Sequence, residues 1–235
     1  LLSAGYPADY LEPDYDCPLC RDTGYVEGAK CICLKQKIVT LLYEQSNIRD
    51  TLKRENFSVL SSDYYKGEDL ERFLRASNAC QDFVRSFASC YRNLFFYGSV
   101  GAGKTFLSNC IARELIEAGN LVLYFSAAGL IDILSGRSRE ESAAASQDIW
   151  HCDLLVIDDL GTEYTNAYVV SQLFSCLNER HLRRKSTIIS TNLSLADLRN
   201  KYSERIFSRI TSNYDIFKIT GPDIRMYLKT IQNRK

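Results

Sequence analysis

No run of apolar residues in this chain approaches the roughly 20 that a membrane-spanning helix needs, and no secretory leader is visible at its start. Net charge is lacking too. The 29 Lys and Arg balance 29 Asp and Glu, so the whole-chain balance neither demands nor excludes a nucleic-acid partner. With a hydrophobic fraction of 46%, the expectation is a soluble globular protein with no membrane partner. A length of 235 residues gives room for one sizeable domain and a small module. The first residue is Leu1 rather than Met, so further sequence upstream is expected.

Charge is uneven along the chain. Residues 180–235 hold 13 Lys and Arg against 4 Asp and Glu, a balance of +9. Such a segment fits a surface facing a polyanion or ATP, and equally an ordinary solvated surface. The nine cysteines form two groups. Cys80, Cys90, Cys110, Cys152 and Cys176 are scattered, mostly in apolar contexts, as in a reduced, intracellular, cytoplasmic protein. The other four stand as Cys17-Pro-Leu-Cys20 and Cys31-Ile-Cys33, behind an irregular lead-in over residues 1–16. A two-residue gap lets a tight turn aim both sulfurs at one ion, and positions two apart in an extended segment share a face. Four thiolates around a tetrahedral Zn²⁺ are expected, with disulfides or a redox pair as the other reading. Residues 14–36 hold too few apolar side chains for a core of their own. A structural zinc can supply on the order of 10–16 kcal/mol instead. A helix over Lys35–Tyr43 is expected to join this knuckle to the rest, dividing the chain into residues 1–46 and 47–235.

The second part is organised around one stretch. Asn93–Tyr97 reads as a buried strand, and Gly98-Ser-Val-Gly-Ala-Gly-Lys-Thr105 fits G-x-x-x-x-G-K-[ST]. A helix follows from Phe106 to Ala118. Gly98, Gly101 and Gly103, with Ala102 between, let backbone N–H groups close around phosphate oxygens. The helix that Phe106 opens aims its positive end at the same oxygens. Lys104 is expected to reach the β- and γ-phosphates of ATP, and Thr105 to hold Mg²⁺. Before this loop, Asp69–Tyr91 carries an apolar stripe of Leu70, Phe73, Leu74, Ser77, Cys80, Val84, Phe87 and Tyr91. Ile48 and Phe57 suit either the flanks of an adenine ring or the core.

After it, strands are read at Leu121–Phe125, Asp153–Asp158, Ser186–Asn192 and Asp215–Thr220, with helices between them. The third strand ends in Asp158-Asp159, 54 positions after Lys104. Asp158 is the expected Mg²⁺ holder and Asp159 the group that polarises the attacking water, although an acidic pair can also open a loop. Asn192 can touch the γ-phosphate or that water, and is also a common turn residue. Ser194–Asp197 is a capping box, and Arg205 and Arg209 fall on one helical face. Gly136–Gln147 reads as a loop that closes on a partner or a plain surface excursion. Five strands alternating with helices imply a parallel α/β sheet covered on both faces, with the nucleotide outside the strands' carboxyl ends.

The phosphate loop, Val156-Ile-Asp-Asp-Leu-Gly161, Ser190-Thr-Asn192, Glu204-Arg-Ile-Phe-Ser-Arg-Ile210 and Gly221-Pro-Asp-Ile-Arg225 resemble the DnaC/DnaI-type replicative helicase loaders. These are AAA+ ATPases and kin of the IstB-type transposition helpers. Cys17-Pro-Leu-Cys-Arg-Asp-Thr-Gly24 and Cys31-Ile-Cys33 resemble the zinc module that precedes the ATPase in DnaI-like members. The resemblance implies strand order 5-1-4-3-2, Asn192 as sensor 1, Arg225 as sensor 2, and Arg209 ahead of Arg205 as an arginine finger for a neighbour's ATP. It implies no full helical lid, since ten residues follow Arg225, and a helicase-grasping region upstream. It further implies self-association on ATP binding, a hexameric replicative helicase as partner, and single-stranded DNA along the Ala127–Arg139 region. A transposition helper is the alternative. A small-molecule phosphotransferase would want a lid with several arginines, where residues 126–152 offer Arg137 and Arg139. Intact Lys104, Thr105 and Asp158 argue against a nucleotide-independent binding module.

Overall fold

The computed structural model describes residues 13, 15–31, 33, 34, 37, 48–135 and 148–227. The helix expected over Lys35–Tyr43, most of the lead-in and the Gly136–Gln147 segment lie outside them. The first described unit is a small antiparallel hairpin, β1 (Tyr25–Val26) and β2 (Ala29–Lys30). Glu27 and Gly28 between them both have positive φ, as a tight hairpin turn requires.

The larger unit begins with α1 (Ile48–Arg54) and a short 3₁₀ turn at Phe57–Val59, capped by the Asn56 side chain, which accepts from Ser58 N. Then α2 (Gly67–Ser86) precedes β3 (Leu94–Gly98), α3 (Lys104–Glu117), β4 (Val122–Ser126) and α4 (Ala127–Leu134). The chain continues through β5 (Leu154–Leu160), α5 (Ala167–Leu182), β6 (Ser186–Thr191), α6 (Leu195–Tyr202), α7 (Glu204–Asn213) and β7 (Asp215–Ile219). The five long strands are all parallel, in the order β4-β5-β6-β3-β7. Counted one to five along the chain, that is the expected 5-1-4-3-2 read from the other edge.

Local chemistry sets the boundaries. Ser126, Asn166 and Ser194 cap α4, α5 and α6, each side chain accepting from the N–H three residues on. Ser194 also donates to Asp197 Oδ2, so the two residues of the expected capping box are tied side chain to side chain. At the foot of the sheet the buried Asn93 amide accepts from Thr187 N and donates to Asn213 O and Tyr91 Oη. It thereby joins the starts of β3, β6 and β7.

Three expectations need correction. The helix read from Asp69 to Tyr91 stops at Ser86. Ser89 N and Cys90 N both turn back onto Ser86 O, and Tyr91 reaches His181 Nδ1 at 3.2 Å instead. The buried stripe also rotates: Ala76 and Phe83 face the core, whereas Leu74 is 42% exposed. Phe57 takes the second of its two expected places and packs on the core. Arg180, counted in the basic C-terminal balance, is 0% exposed. Its guanidinium is spent on Ile149 O, Cys152 O, Ser186 O and Thr187 Oγ1, so it adds nothing to a surface. Among the described residues no helix is long and apolar enough to cross a membrane.

Candidate functional site

A parallel strand ends on the carboxyl edge of its sheet, and β3, β5 and β6 all deliver polar side chains there. The backbone between β3 and α3 turns through Gly98, Gly101 and Gly103, all with positive φ. A side chain could not replace hydrogen at Gly98, where a Cβ would lie 2.1 Å from Ile219 O of β7. At Gly103 it would lie 2.7 Å from the Tyr65 hydroxyl. Tyr65 is a residue that sequence reading missed. Its hydroxyl donates to Ala102 O at 2.9 Å, and its ring stacks on Phe73 at 4.0 Å. The loop is thus held from beneath by an aromatic anchored on α2. Nothing in the Tyr64-Tyr65 dipeptide distinguishes this from ordinary core packing.

Lys104 opens α3 at 5% exposure. Its Nζ donates to Gly98 O (3.0 Å), Ser99 O (2.6 Å) and Asn192 Oδ1 (2.7 Å). Burial lowers the pKa of this ammonium, and the Asp159 and Asp158 carboxylates act against that. Thr105 Oγ1 donates to both Asp158 oxygens, at 3.0 and 3.2 Å. On the other side Ser190 Oγ donates to Asp158 Oδ1 and accepts from Asp159 N at 3.1 Å.

Adjacent residues on a regular strand point to opposite faces, so Asp158 and Asp159 should diverge. They do not, because the ladder between β5 and β6 slips between Ile157 and Leu160. Ile157 pairs with Ile189 and Leu160 with Thr191, which sets two aspartates against the single Ser190. Such a bulge re-aims a side chain. Asp159 takes it up with φ +53, and both carboxylates face one cleft of about 680 Å³. Asn192 bridges the groups: its Oδ1 accepts from Lys104 and its Nδ2 donates to Asp159 Oδ1 at 3.2 Å.

Gly101, Gly103, Lys104, Thr105, Phe106, Asp158, Asp159, Asn192 and Arg225 all line this cleft, and Val59, Leu60, Tyr64 and Ile224 form its apolar side. A flat, partly apolar ring fits that side. The Ile224 N–H donates to Gly101 O at 3.1 Å, tying the segment that bears Arg225 to the phosphate loop. Arg225 itself is an exposed side chain 3.5 Å from Asp223. Ala102, which is buried, and Gly98 belong to the same loop and are not among the residues that line the cleft. Arg209 is elsewhere. It lies with Arg205 in a separate groove on α7, where its Nη2 donates to Asn178 Oδ1 at 2.6 Å and its guanidinium lies 6.0 Å from the Phe174 ring centre.

The donor set fits a nucleoside triphosphate with Mg²⁺: a hydroxyl and a carboxylate in contact at Thr105 and Asp158, a lysine beside them, and glycine backbone around them. The four clustered cysteines likewise fit zinc. Their Sγ atoms lie within 4.8 Å of one another, with Cys17 to Cys31 at 3.8 Å and Cys20 to Cys33 at 3.3 Å. No disulfide joins them, since that bond spans about 2.05 Å. The Asp22 carboxylate accepts from Asp16 N and Cys17 N, and Cys31 N donates to Gly24 O, so backbone bonds bring the two pairs together.

The profile of the family described as IstB-like ATP binding protein matches residues 32–230. The replicative helicase loader DnaC of Escherichia coli (strain K12) is 24% identical over 158 residues, covering 66% of this chain and 64% of that relative. The chain therefore spans less than two thirds of that relative's length. A crystal structure of the DnaC helicase loader superposes with a TM-score of 0.60 at 26% identity, covering 72% of this chain and 99% of that one. A crystal structure of DnaI gives 0.62 at 22% identity, over 73% and 94%, and speaks for the AAA+ fold alone.

Two outcomes follow from this geometry. Metal analysis should find about one zinc per chain, as a four-thiolate site requires, and chelation should expose the four thiols to a thiol reagent. A folded, metal-free chain with those thiols protected contradicts the site. The second concerns Asp159, whose pKa is raised by burial first and by Asp158 second. A carboxyl raised on folding stabilises only while protonated, so its ionised form costs stability as pH rises through the raised value. Asn carries no charge and tolerates a left-handed backbone. Asp159→Asn should therefore melt a few degrees above the parent at neutral pH, the gap closing in acid. A lower melting temperature at neutral pH contradicts this.

Proposed function

The chain belongs to the IstB-like ATP binding protein family, and on that footing we propose that it is an ATPase that loads a hexameric replicative helicase onto single-stranded DNA. One observation carries the reading. Lys104, Thr105, Asp158, Asp159 and Asn192 converge on a single cleft, while Arg209 is held in a separate groove. A set that positions a triphosphate but keeps Arg209 elsewhere suits a site completed by a second copy.

In this reading the glycine loop and Lys104 hold the phosphates. Thr105 and Asp158 would hold Mg²⁺, which would supply positive charge against the phosphates. Asp159 accepts a proton from the attacking water, and Asn192 orients Asp159 through its amide. Water's oxygen bonds to the γ-phosphorus as the bond to ADP's oxygen breaks. Arg209 of the next subunit stabilises the charge that moves onto that leaving oxygen. Arg225 senses the bound phosphate from the chain's own side. ATP binding drives self-association, and hydrolysis releases the loader. Single-stranded DNA runs along the region from Ala127 to Arg139, of which residues 136–139 lie outside the described part. The similarity to DnaC supports helicase as the partner. The IstB-like family match supports a second reading, an ATPase that serves a transposase on duplex DNA, and a pull-down from the native cell separates the two.

Arg209→Ala should leave nucleotide affinity unchanged and abolish the stimulation of hydrolysis by assembly, an effect of roughly 10³–10⁵ for a finger arginine. Loss with Arg205→Ala instead moves the role to that residue. Full stimulation in both variants contradicts the between-subunit site.

A further inference from the structure

Glu163 lies three residues past the bulge, at 6% exposure. Its carboxylate accepts from Gly161 N at 3.0 Å and from the hydroxyl of Tyr202, which is fully buried at the end of α6. Lys201, beside Tyr202, donates to Gly161 O and not to the carboxylate. Among the described residues no Lys or Arg forms an ion pair with Glu163. A buried carboxylate held by two neutral donors costs more to desolvate than an amide or apolar group would. The nucleotide chemistry above gives it no task, since it does not line the cleft.

Its position gives it one. Upstream, the turn from Asp159 to Thr162 is closed by Thr162 N and Oγ1 donating to Asp159 O at 3.3 and 2.9 Å. Gly161 has φ +113 there, and a Cβ on it would lie 2.7 Å from Leu193. Downstream, α6 passes into α7 through Ser203 alone, at φ +86. Arg199 clamps the two helices: it pairs with Glu204 at 2.5 Å, and its guanidinium lies 5.8 Å from the Phe207 ring centre. A short, rigid path thus runs from the carboxylates of the chain's own cleft to the helix that carries Arg205 and Arg209.

We propose that Glu163 is a positioning residue for hydrolysis in the neighbouring subunit: through Tyr202 and α6 it sets α7, and with it Arg209, relative to the turn that carries Asp158 and Asp159. The proposal rests on the reading that Arg209 acts between subunits. It makes a directional demand, because a residue serving only its own cleft would act in the subunit that holds the ATP, and one serving only the fold would act equally in both.

Two parent chains separate these cases. The acceptor carries Arg209→Ala and keeps its cleft; the donor carries Lys104→Ala and keeps its arginine. Mixed in excess ATP and Mg²⁺, they should hydrolyse ATP where neither does alone. Adding Glu163→Gln to the donor should lower the joint rate by about 3- to 30-fold, the span of measured coupling effects of single residues. The same change in the acceptor should leave the rate within about twofold. Tyr202→Phe, which removes one hydroxyl and keeps the packing, should show the same asymmetry, and thermal melting of each variant monitors the fold. Equal losses in both positions, or a larger loss in the acceptor, overturn the proposal. No joint activity in the unmodified mixture overturns the between-subunit reading itself.

Discussion

The Lys104 ammonium donates to two carbonyls at the end of β3 and to the Asn192 amide at the end of β6, with two carboxylates of β5 close by. One charge is thus withdrawn from water at the point where three parallel strands finish. A buried ammonium is tolerated when its donors are satisfied and opposite charge is near, and every neighbouring feature meets one of those conditions. Gly98 lets β7 approach, Tyr65 holds the loop, and Ser190 and Thr105 hold Asp158. Triphosphate oxygens suit such a place because they supply acceptors and negative charge together.

The bulge in β5 sets the second half of the cleft's chemistry. A regular strand would place one aspartate in the cleft and the other on the far face. The slip opposite Ser190 and the left-handed Asp159 bring both to the same side. Burial then makes the Asp159 charge unfavourable, with Asp158 adding to the effect. In the proposed mechanism that suits a group that takes a proton from water. The strain and the charge are of use at this site and have no evident value to the fold alone.

Much of this was legible in the sequence. The glycine loop, the capped helices and the β-branched runs specify a parallel α/β sheet and the location of the cleft, because each is a local signal with one geometric meaning, whereas the strand order came from the family resemblance. The paired cysteines likewise converge as their spacing implies. What was not legible depends on contacts distant along the chain. Tyr65 meets Ala102 across 37 positions, and Ser190 meets Asp158 across 32. The rotation of α2 that buries Ala76 and Phe83 answers to the sheet rather than to its own period. Arg180 reads as surface charge and is buried because carbonyls from two separate segments happen to surround its guanidinium.

In the proposed function labour is divided within one chain. The cleft would hold a triphosphate, Arg209 lies in a separate groove, and Glu163 and Tyr202 would join the two. Such a division makes sense when copies act on one another, so that assembly and hydrolysis become a single event. The most direct measurement is ATP turnover per chain as a function of protein concentration, followed alongside sedimentation. The account predicts turnover that rises with concentration as oligomers replace monomers. Turnover that is already maximal in dilute monomers, and flat thereafter, would contradict it.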